Sequence, residues 1–210
     1  MKIVIFGANG KTGSIIVQQA LDIEYQVIAY VRNAEFIKIN HPNLKIVVGN
    51  LNETLKMRDC ISDSDACISA LGGESLTKHA IDVMEGIDRI ATVMEDLRVH
   101  RFIYLSSIGA GKSYSMMPQP LRFLVFEILL KVPLTDHNKN EQRITYSNLQ
   151  WTIVRPGSLT NGPATENYNH GIKKIKLKKS PRISRANVAA FILRQLTDET
   201  YMQKSVWVYE

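Results

Sequence analysis

Short apolar runs alternate with amphipathic stretches along most of this chain. Residues 3–6 form the first run, which is too short for a helix, and a glycine-rich turn separates it from a helical pattern. Further runs of this kind lie at 26–31, 44–48, 66–70, 101–105 and 150–154, with a short one at 206–209. Continuous apolar runs are typical of strands that are buried on both faces of a parallel sheet.

Helical patterns occupy most of the intervals between these runs. They predict helices over 12–21, 52–60, 77–97 and, after Ser184 as N-cap, to about 196. A regular alternation of strand and helix predicts the α/β class. We therefore expect a Rossmann-like, doubly wound, mainly parallel sheet with helices on both faces. Its first six strands should follow the order 3-2-1-4-5-6.

Two segments depart from this alternation. Residues 120–132 are apolar nearly all round, which predicts burial on several sides, and a further helix is expected from Asp136 onwards. The apolar segment could be a helix buried in its own fold, a surface for a homodimer or another protein, or a wall of an apolar substrate pocket. Residues 172–177 alternate apolar side chains with lysines, which predicts an exposed edge strand.

Length and composition fit an ordinary globular protein. The chain has 210 residues, of which 45% are hydrophobic and 22% charged. We expect one domain over 1–210, with a small substrate-side portion at about 155–210. The apolar stretches are too short for a membrane span, and the N-terminus enters a strand without a charged region and cleavage site. A cytoplasmic protein without membrane contact is therefore predicted. Cys60 and Cys67 have no partner pattern for zinc or disulfides, so no metal is expected.

The net charge of +6 comes from one segment. Residues 173–185 hold seven basic residues and no acidic ones, and without them the chain is about neutral. A nucleic-acid partner is disfavoured, because the segment lacks interleaved aromatics and belongs to no recognised module. The sequence does not assign a role to this segment.

The glycines after the first strand give the clearest indication of a binding site. Gly7, Gly10 and Gly13 have the spacing G-x-x-G-x-x-G between a predicted strand and a predicted helix. The first glycine permits a tight turn, the second lets the backbone approach a pyrophosphate, and the third lets helix and strand pack closely. A plain structural turn is the alternative. The candidate cofactor-binding residues of this loop are Gly7, Asn9, Gly10, Lys11, Thr12 and Gly13.

The end of the second strand indicates which dinucleotide binds. Arg32 stands there, and neither Arg32 nor the following Asn33 is acidic. An acidic residue near this point holds the ribose 2′-hydroxyl of NAD, whereas an arginine accommodates the 2′-phosphate of NADP. The prediction is therefore NADPH in preference to NADH, with Lys11 as a second positive group. Either side chain could instead be an ordinary solvated surface residue.

Each of the next three strands also ends in small or polar residues. Asn50 after the third strand, Gly72 after the fourth, and Ser106 and Ser107 after the fifth are of this kind, and Leu51 and Leu71 stand beside the first two. Ligands of open parallel sheets bind beyond the carboxyl ends of the strands, so all six are candidate site residues. Asn50 could face an adenine edge or cap the next helix, and the serines could serve as caps or turn residues.

Together these motifs resemble the atypical short-chain dehydrogenase/reductases. The resemblance rests on the glycine loop, Arg32, Ser106-Ser107, Trp151-Thr-Ile-Val-Arg-Pro-Gly157 and Arg182-Ile-Ser-Arg-Ala-Asn-Val-Ala-Ala190. Within that family the chain is most similar to the NmrA-like NAD(P)H-binding proteins and the flavin reductase/biliverdin-IXβ reductase group. The similarity covers essentially the whole chain. It implies a Rossmann fold, a nicotinamide cofactor with Pro156 among its contacts, and reductase activity.

The resemblance also implies catalytic residues. Ser107 matches the group's active-site serine, and His137, fifteen residues before Thr152, stands where the group has a histidine. The chain departs from the group at Asn50, where an aspartate is usual, and at Ser158, where a substrate-loop histidine is usual. These two departures leave the substrate open.

One feature of the main dehydrogenase family is missing. No tyrosine of this chain is followed four residues later by a lysine. In that pair the lysine lowers the pKa of the phenol so that it can act as acid or base, so alcohol or ketone redox is disfavoured.

The sequence therefore predicts an NADPH-dependent reductase of a flavin, a quinone or a similar conjugated acceptor. Ser107, with Ser106, would orient the carboxamide or the acceptor, and His137 would hold phosphate or donate a proton. The alternative is a non-catalytic dinucleotide sensor of the NmrA-like kind, which would contact a protein partner through residues 120–132 and the basic segment 173–185.

Overall fold

Strands and helices alternate along the chain as predicted. A computed structural model describes residues 1–73, 75–116, 118–119, 122–123, 129–177 and 179–210. The strands are β1 (Lys2–Phe6), β2 (Gln26–Val31), β3 (Leu44–Val48), β4 (Ala66–Ser69), β5 (Arg101–Leu105), β6 (Gln150–Pro156), β7 (Ser158–Thr160), β8 (Asn169–Gly171), β9 (Arg182–Ser184) and β10 (Lys204–Tyr209). The α-helices are α1 (Gly13–Asp22), α2 (Thr54–Ser62), α3 (Ile81–Leu97), α4 (Lys131–Thr145) and α5 (Arg185–Arg194).

The central sheet has the predicted topology. Its order is β3-β2-β1-β4-β5-β6-β10-β8, so the predicted order of the first six strands is confirmed. Neighbouring strands are parallel except β8, which runs antiparallel to β10. A separate parallel pair joins β7 to β9. The carboxyl ends of β1 to β6 consequently meet at one edge of the sheet, where the site is expected.

Helices cover both faces of the sheet, which explains the continuous apolar runs. Along β1, Ile3 and Ile5 share a core with α1 and α5, whereas Val4 and Phe6 share a core with α2, α3 and α4. All four side chains are fully buried. The predicted cap of the last helix is also confirmed, because the Ser184 hydroxyl oxygen accepts a hydrogen bond at the start of α5. None of the helices in the described part of the chain is long and apolar enough to cross a membrane.

Two helix starts differ from the sequence prediction. The helix expected from residue 77 begins at Ile81, and the helix expected from Asp136 begins at Lys131. In the predicted apolar segment, residues 120, 121 and 124–128 lie outside the described residues. Two of its described members, Phe123 and Leu129, are 67% and 52% exposed. The burial predicted on several sides of this segment does not include these two side chains.

The predicted edge strand at 172–177 is also wrong. These residues, all of which the structure describes, form no strand. The Trp207 indole N–H donates to the Lys173 oxygen at 2.9 Å, and the Leu177 N–H donates to the Met116 oxygen at 2.9 Å. Tertiary hydrogen bonds of this kind, rather than a strand ladder, decide the course of the segment.

A buried arginine joins the sheet to α5. Arg101 is 8% exposed, and its guanidinium donates to the carbonyl oxygens of Gln150 (2.7 Å) and Gln195 (3.1 Å) and to Thr152 Oγ1 (3.0 Å). Gln195 is the C-cap residue of α5, where the helix dipole favours a positive charge. Burial lowers the pKa of Arg101 to about 10, so the side chain remains charged at neutral pH.

We expect the substitution Arg101→Met to lower the free energy of unfolding by about 3 kcal/mol, because each buried acceptor left unpaired costs roughly 1–3 kcal/mol. Urea unfolding measures this effect. The control is Arg58→Met, which removes an exposed ion pair with Asp96 and should change stability by less than about 0.5 kcal/mol. Equal effects of the two substitutions would contradict the role of Arg101.

Candidate dinucleotide cleft and active site

The loop after β1 is folded too tightly for side chains at two of its glycines. Gly7 has a φ of +78°, and a Cβ there would lie 2.8 Å from the carbonyl carbon and oxygen of Ala70. A Cβ at Gly13 would overlap the Gly7 oxygen and lie 2.9 Å from its carbonyl carbon. The same Gly7 oxygen accepts a hydrogen bond from the Gly10 N–H at 3.0 Å. Backbone thus packs against backbone, and only glycine fits at positions 7 and 13.

The loop leads into α1 without a side-chain cap. Thr12 is the N-cap residue, but its side chain makes no hydrogen bond to the helix. The first N–H groups of a helix lack intrahelical partners and carry the positive end of its dipole, so they can bind an anion. Lys11 is exposed in the same loop and adds a positive charge. The donors, the charge and the lack of side chains all fit a pyrophosphate.

A cleft of about 820 Å³ opens beside this loop, and we call it the dinucleotide cleft. Its volume lies within the range of pockets for small molecules and cofactors, roughly 300–1,000 Å³. The predicted cofactor residues that line it are Gly7, Asn9, Gly10, Arg32, Asn50, Leu51, Leu71 and Gly72. Residues that follow β1, β2, β3 and β4 therefore meet in one cavity, as the parallel topology requires.

The other predicted site residues lie elsewhere. Lys11, Thr12 and Gly13 belong to the glycine loop, but they are not part of the described lining of the cleft. Pro156 is buried at the end of β6, and its oxygen accepts a hydrogen bond from the Ile108 N–H at 2.9 Å. Ser106, Ser107 and His137 are also not part of the described lining.

Tyr30 supports the part of the cleft beyond β2 and β3. Its hydroxyl donates to the Asn50 carbonyl at 2.9 Å, and burial raises its pKa to about 12, so the phenol keeps its proton. Gly49 makes room for this contact, since a Cβ there would lie 2.7 Å from the tyrosine ring. The N-cap residue of α2 is Glu53, so the capping role considered for Asn50 is wrong. The Asn50 side chain is instead exposed in the cleft.

Arg32 lies directly after β2, on the lining of the cleft, and is exposed. The next residue turns the chain away from the strand. The Asn33 side chain accepts a hydrogen bond from the Glu35 N–H at 2.9 Å and caps a short 3₁₀ helix. Arg32 thus places a guanidinium at the β2 end of the cleft, where a phosphate can reach it.

The two serines after β5 have different surroundings. Ser106 is buried, and its hydroxyl donates to Glu141 Oε1 at 2.6 Å. Glu141 also accepts two hydrogen bonds from the Arg155 guanidinium, one of them at 2.9 Å from Nε. Ser107 is half-buried and donates to the adjacent Ile108 oxygen at 3.2 Å. Ser106 therefore belongs to a buried ion-pair network, and Ser107 has the hydroxyl that a ligand can reach more easily.

His137 belongs to a second internal network. Its Nδ1 lies 2.8 Å from the Tyr104 hydroxyl, and the Asn140 side-chain amide donates to the same hydroxyl at 2.9 Å. The phenol proton is then directed to Nδ1 of His137. Burial lowers the pKa of His137 below its ordinary value of 6.5 and raises the pKa of Tyr104. Both shifts favour the neutral forms, so this network carries no charge at neutral pH.

Another histidine, His79, lines the cleft, and no sequence motif marks it. His79 Nδ1 lies 2.5 Å from Asp136 Oδ1, and Asp136 Oδ2 accepts a hydrogen bond from the Ala80 N–H at 2.9 Å. The two residues of the pair are 57 positions apart, and the fold alone brings them together. The adjacent residues Asp136 and His137 thus bind different partners, His79 and Tyr104.

Comparison with known proteins agrees with this arrangement. The chain matches the family described as NAD(P)H-binding over residues 7–199. It is 33% identical over 178 residues to an uncharacterized chloroplastic protein of Arabidopsis thaliana. That alignment covers 79% of this chain and 62% of the relative, so the chain spans less than two thirds of the relative's length.

Solved structures share the fold over the whole chain. The oxidoreductase ylbE of Lactococcus lactis matches this chain with a TM-score of 0.81 and 25% sequence identity. The match covers 100% of this chain and 91% of the ylbE chain. A short-chain dehydrogenase/reductase of Veillonella parvula in complex with NADP has a TM-score of 0.81, 20% identity, and coverage of 100% and 94%. The anaerobillin reductase ChuY of Escherichia coli O157:H7 has a TM-score of 0.82, 21% identity, and coverage of 100% and 97%. At these lower identities the last two show the fold alone.

The first prediction concerns the glycine loop. Gly13→Ala is expected to lower the free energy of unfolding by about 1–3 kcal/mol, because the new methyl group overlaps the Gly7 oxygen. It should also weaken NADPH binding, measured by fluorescence titration, because the loop must shift. The control is Gly162→Ala, whose Cβ would be 3.5 Å from the nearest atom. Wild-type stability and affinity in Gly13→Ala would contradict this account.

The second prediction concerns pH. The folded-state pKa of His137 is lowered, so between that pKa and about 6.5 the unfolded chain binds more protons than the folded protein. The stability contributed by neutral His137 is therefore present above pH 6.5 and declines on acidification below it. Urea unfolding at a series of pH values should give a shallower decline in His137→Gln than in the wild type. If the stability of the two proteins depends on pH with the same slope, His137 has the same pKa in the folded and the unfolded state.

Proposed function

Because the chain belongs to the NAD(P)H-binding family, we propose that it is an NADPH-dependent reductase that transfers hydride to a flavin, a quinone or a similar conjugated acceptor. The observation that carries this proposal is the dinucleotide cleft, in which the glycine loop and Arg32 line one cavity. When bound, the dinucleotide supplies the hydride. The chain supplies the loop for the pyrophosphate, Arg32 for the 2′-phosphate, and Leu71 and Gly72 as a close-fitting wall.

The class of acceptor follows from the side chains around β5. In the main dehydrogenase family, alcohol and ketone redox uses a tyrosine paired with a lysine four positions later, and the chain has no such pair. Tyr104, on β5, is fully buried, bonded to His137, and has a raised pKa. Conjugated acceptors take hydride at an electron-poor ring atom, so the chain must orient them on the cofactor and exclude water. Ser107, with a half-buried hydroxyl, is the residue we assign to that orientation.

The function is tested by steady-state oxidation of NADPH with FMN, riboflavin, menadione and benzoquinone as acceptors. Turnover with at least one of them, at a rate above that of the uncatalysed mixture, supports the proposal. Binding of NADPH without turnover for any acceptor supports instead the alternative of a dinucleotide sensor. In that case the exposed side chains Phe123 and Leu129 are the first candidates for a partner surface. Failure to bind NADPH contradicts both functions.

Several predictions from the sequence stay predictions. They are the single domain with its substrate-side portion at about 155–210, the cytoplasmic location, the lack of a nucleic-acid partner, and a homodimer or protein contact through 120–132. On location, the Arabidopsis relative is described as chloroplastic, so the cytoplasm remains a proposal.

The preference for NADPH is tested at Arg32. Loss of a charge-assisted contact with the 2′-phosphate costs about 1.5–3 kcal/mol, so Arg32→Ala should weaken NADPH binding by roughly ten- to a hundred-fold. The affinity for NADH, which lacks this phosphate, should stay nearly unchanged and serves as the internal control. Fluorescence titration with both cofactors measures the two constants. Equal losses would show that Arg32 supports the fold of the cleft rather than the phosphate.

A further inference from the structure

A histidine and an aspartate are held together in the wall of the dinucleotide cleft. His79 Nδ1 lies 2.5 Å from Asp136 Oδ1, and the second carboxylate oxygen accepts the Ala80 N–H at 2.9 Å. The Asp136 side chain is 10% exposed, whereas the His79 side chain is 45% exposed. The aspartate is therefore fixed at both oxygens inside the protein, and the imidazole it holds reaches both the cleft and the solvent.

This arrangement determines which ring nitrogen of His79 can react. A carboxylate accepts hydrogen bonds and cannot donate when ionised, so Nδ1 must carry the proton in the contact with Asp136. The other ring nitrogen of His79, Nε2, is then the atom that can exchange a proton with a ligand. A carboxylate that holds the tautomer and orientation of a histidine is the arrangement by which many enzymes prepare an acid or base.

The pair lies on the side of the cleft away from Arg32. Arg32 follows β2, whereas Asp136 is on α4 beside His137, which contacts Tyr104 of β5. β1 and β4 separate β2 from β5 in the sheet. A dinucleotide with its 2′-phosphate at Arg32 and its pyrophosphate on the glycine loop therefore extends its nicotinamide half toward the β4–β5 side. That is the side on which His79 lies.

We propose that His79 donates the proton that the acceptor takes up on reduction and that Asp136 is its positioning residue; the proposal rests on the reductase function proposed above. Reduction of a quinone or flavin requires one hydride, whose two electrons come from NADPH, and one proton. The Nε2–H bond of protonated His79 breaks and its electron pair stays on nitrogen. The proton forms an O–H or N–H bond on the acceptor, and neutral His79 regains a proton from solvent through its exposed side.

The other candidate donors are less suited to this step. His137 has Nδ1 directed at the Tyr104 hydroxyl, and burial lowers its pKa, so it is neutral at pH 7. The pKa of Tyr104 is raised by burial, which makes its phenol a weaker acid. The hydroxyl of Ser106 is occupied by Glu141. His79 combines a fixed orientation, a place in the cleft and access to solvent.

Several charged groups surround His79. Asp136 faces it from α4. Lys78, Asp82, Glu85 and Arg89 line the same cleft from the preceding residue and from α3. The role of His79 is therefore tested by turnover, by rescue with imidazole and by the tautomer of the ring, and not by a pH profile.

The experiment uses the full chain with NADPH and menadione as probes. His79→Gln should lower turnover at saturating NADPH by about a hundred- to ten-thousand-fold, the usual contribution of a general acid. The NADPH affinity, measured by fluorescence titration, should stay unchanged. In His79→Ala, added imidazole should restore part of the lost turnover, because a free imidazole can occupy the space and donate the proton. The matched control is His100→Gln, an exposed histidine just before β5, at the opposite edge of the sheet, which should keep wild-type turnover.

A second readout does not depend on turnover. NMR of ¹⁵N-labelled histidine in the cofactor-free protein should show the Nδ1–H tautomer for neutral His79 in the wild type. Asp136→Asn should lose that tautomer preference and lower turnover at least about tenfold, in line with a positioning role. Unfolding curves of this variant verify that it is folded.

The outcomes separate this proposal from the function on which it rests. Full turnover in His79→Gln, with an active wild type, overturns the proton-donor role and leaves the reductase function standing. A loss of NADPH affinity that matches the loss of turnover, without rescue by imidazole, also overturns it, because His79 would then serve binding. Failure of the wild type with every acceptor overturns both proposals.

Discussion

The site depends on the contact of backbone with backbone in the glycine loop. The Gly7 oxygen lies where a side chain at residue 13 would stand, and the Gly7 Cα lies against the Ala70 carbonyl. These contacts hold the start of α1 against the ends of β1 and β4. The first turn of α1 therefore starts at a fixed place, directly after the loop residues Gly7, Asn9 and Gly10 that line the cleft. Any side chain at Gly7 or Gly13 would separate the helix from the sheet and remove the anion site with it.

Helix α4 is the second support of the site, and it works through polar contacts. It contributes four side chains within six positions, which bind three separate sets of partners. Asp136 binds His79, His137 and Asn140 bind the Tyr104 hydroxyl, and Glu141 binds Arg155 and Ser106. A buried charge is tolerated only when it is paired, so these contacts fix how α4 sits on β5 and β6. Loss of one partner leaves an uncompensated group inside the protein, which costs more than the intact pair stabilises.

Much of the fold could be predicted because a strand that is buried on both faces of the sheet appears in the sequence as a continuous apolar run. A strand such as β1 has no polar face, so its apolar run identifies it without any alignment. The strands β7, β8 and β9 have three residues each, too few for any period, and none of them was predicted. Helix α4 was expected to start at Asp136, but it starts at Lys131, and Pro133 lies in its first turn, where a missing N–H leaves no intrahelical acceptor unpaired.

The sequence by itself determined the order of elements, the anion loop and the residues at the strand ends, because each depends on neighbours within about ten positions. Gly7, Gly13 and Arg32 are of this kind. Only the tertiary structure decided which polar groups are available for chemistry. It places Ser106 in an ion-pair network and His137 on a phenol, and it brings His79 to Asp136 across 57 positions. Such pairs form where separate elements pack together, and no local sequence pattern predicts which side chains meet there.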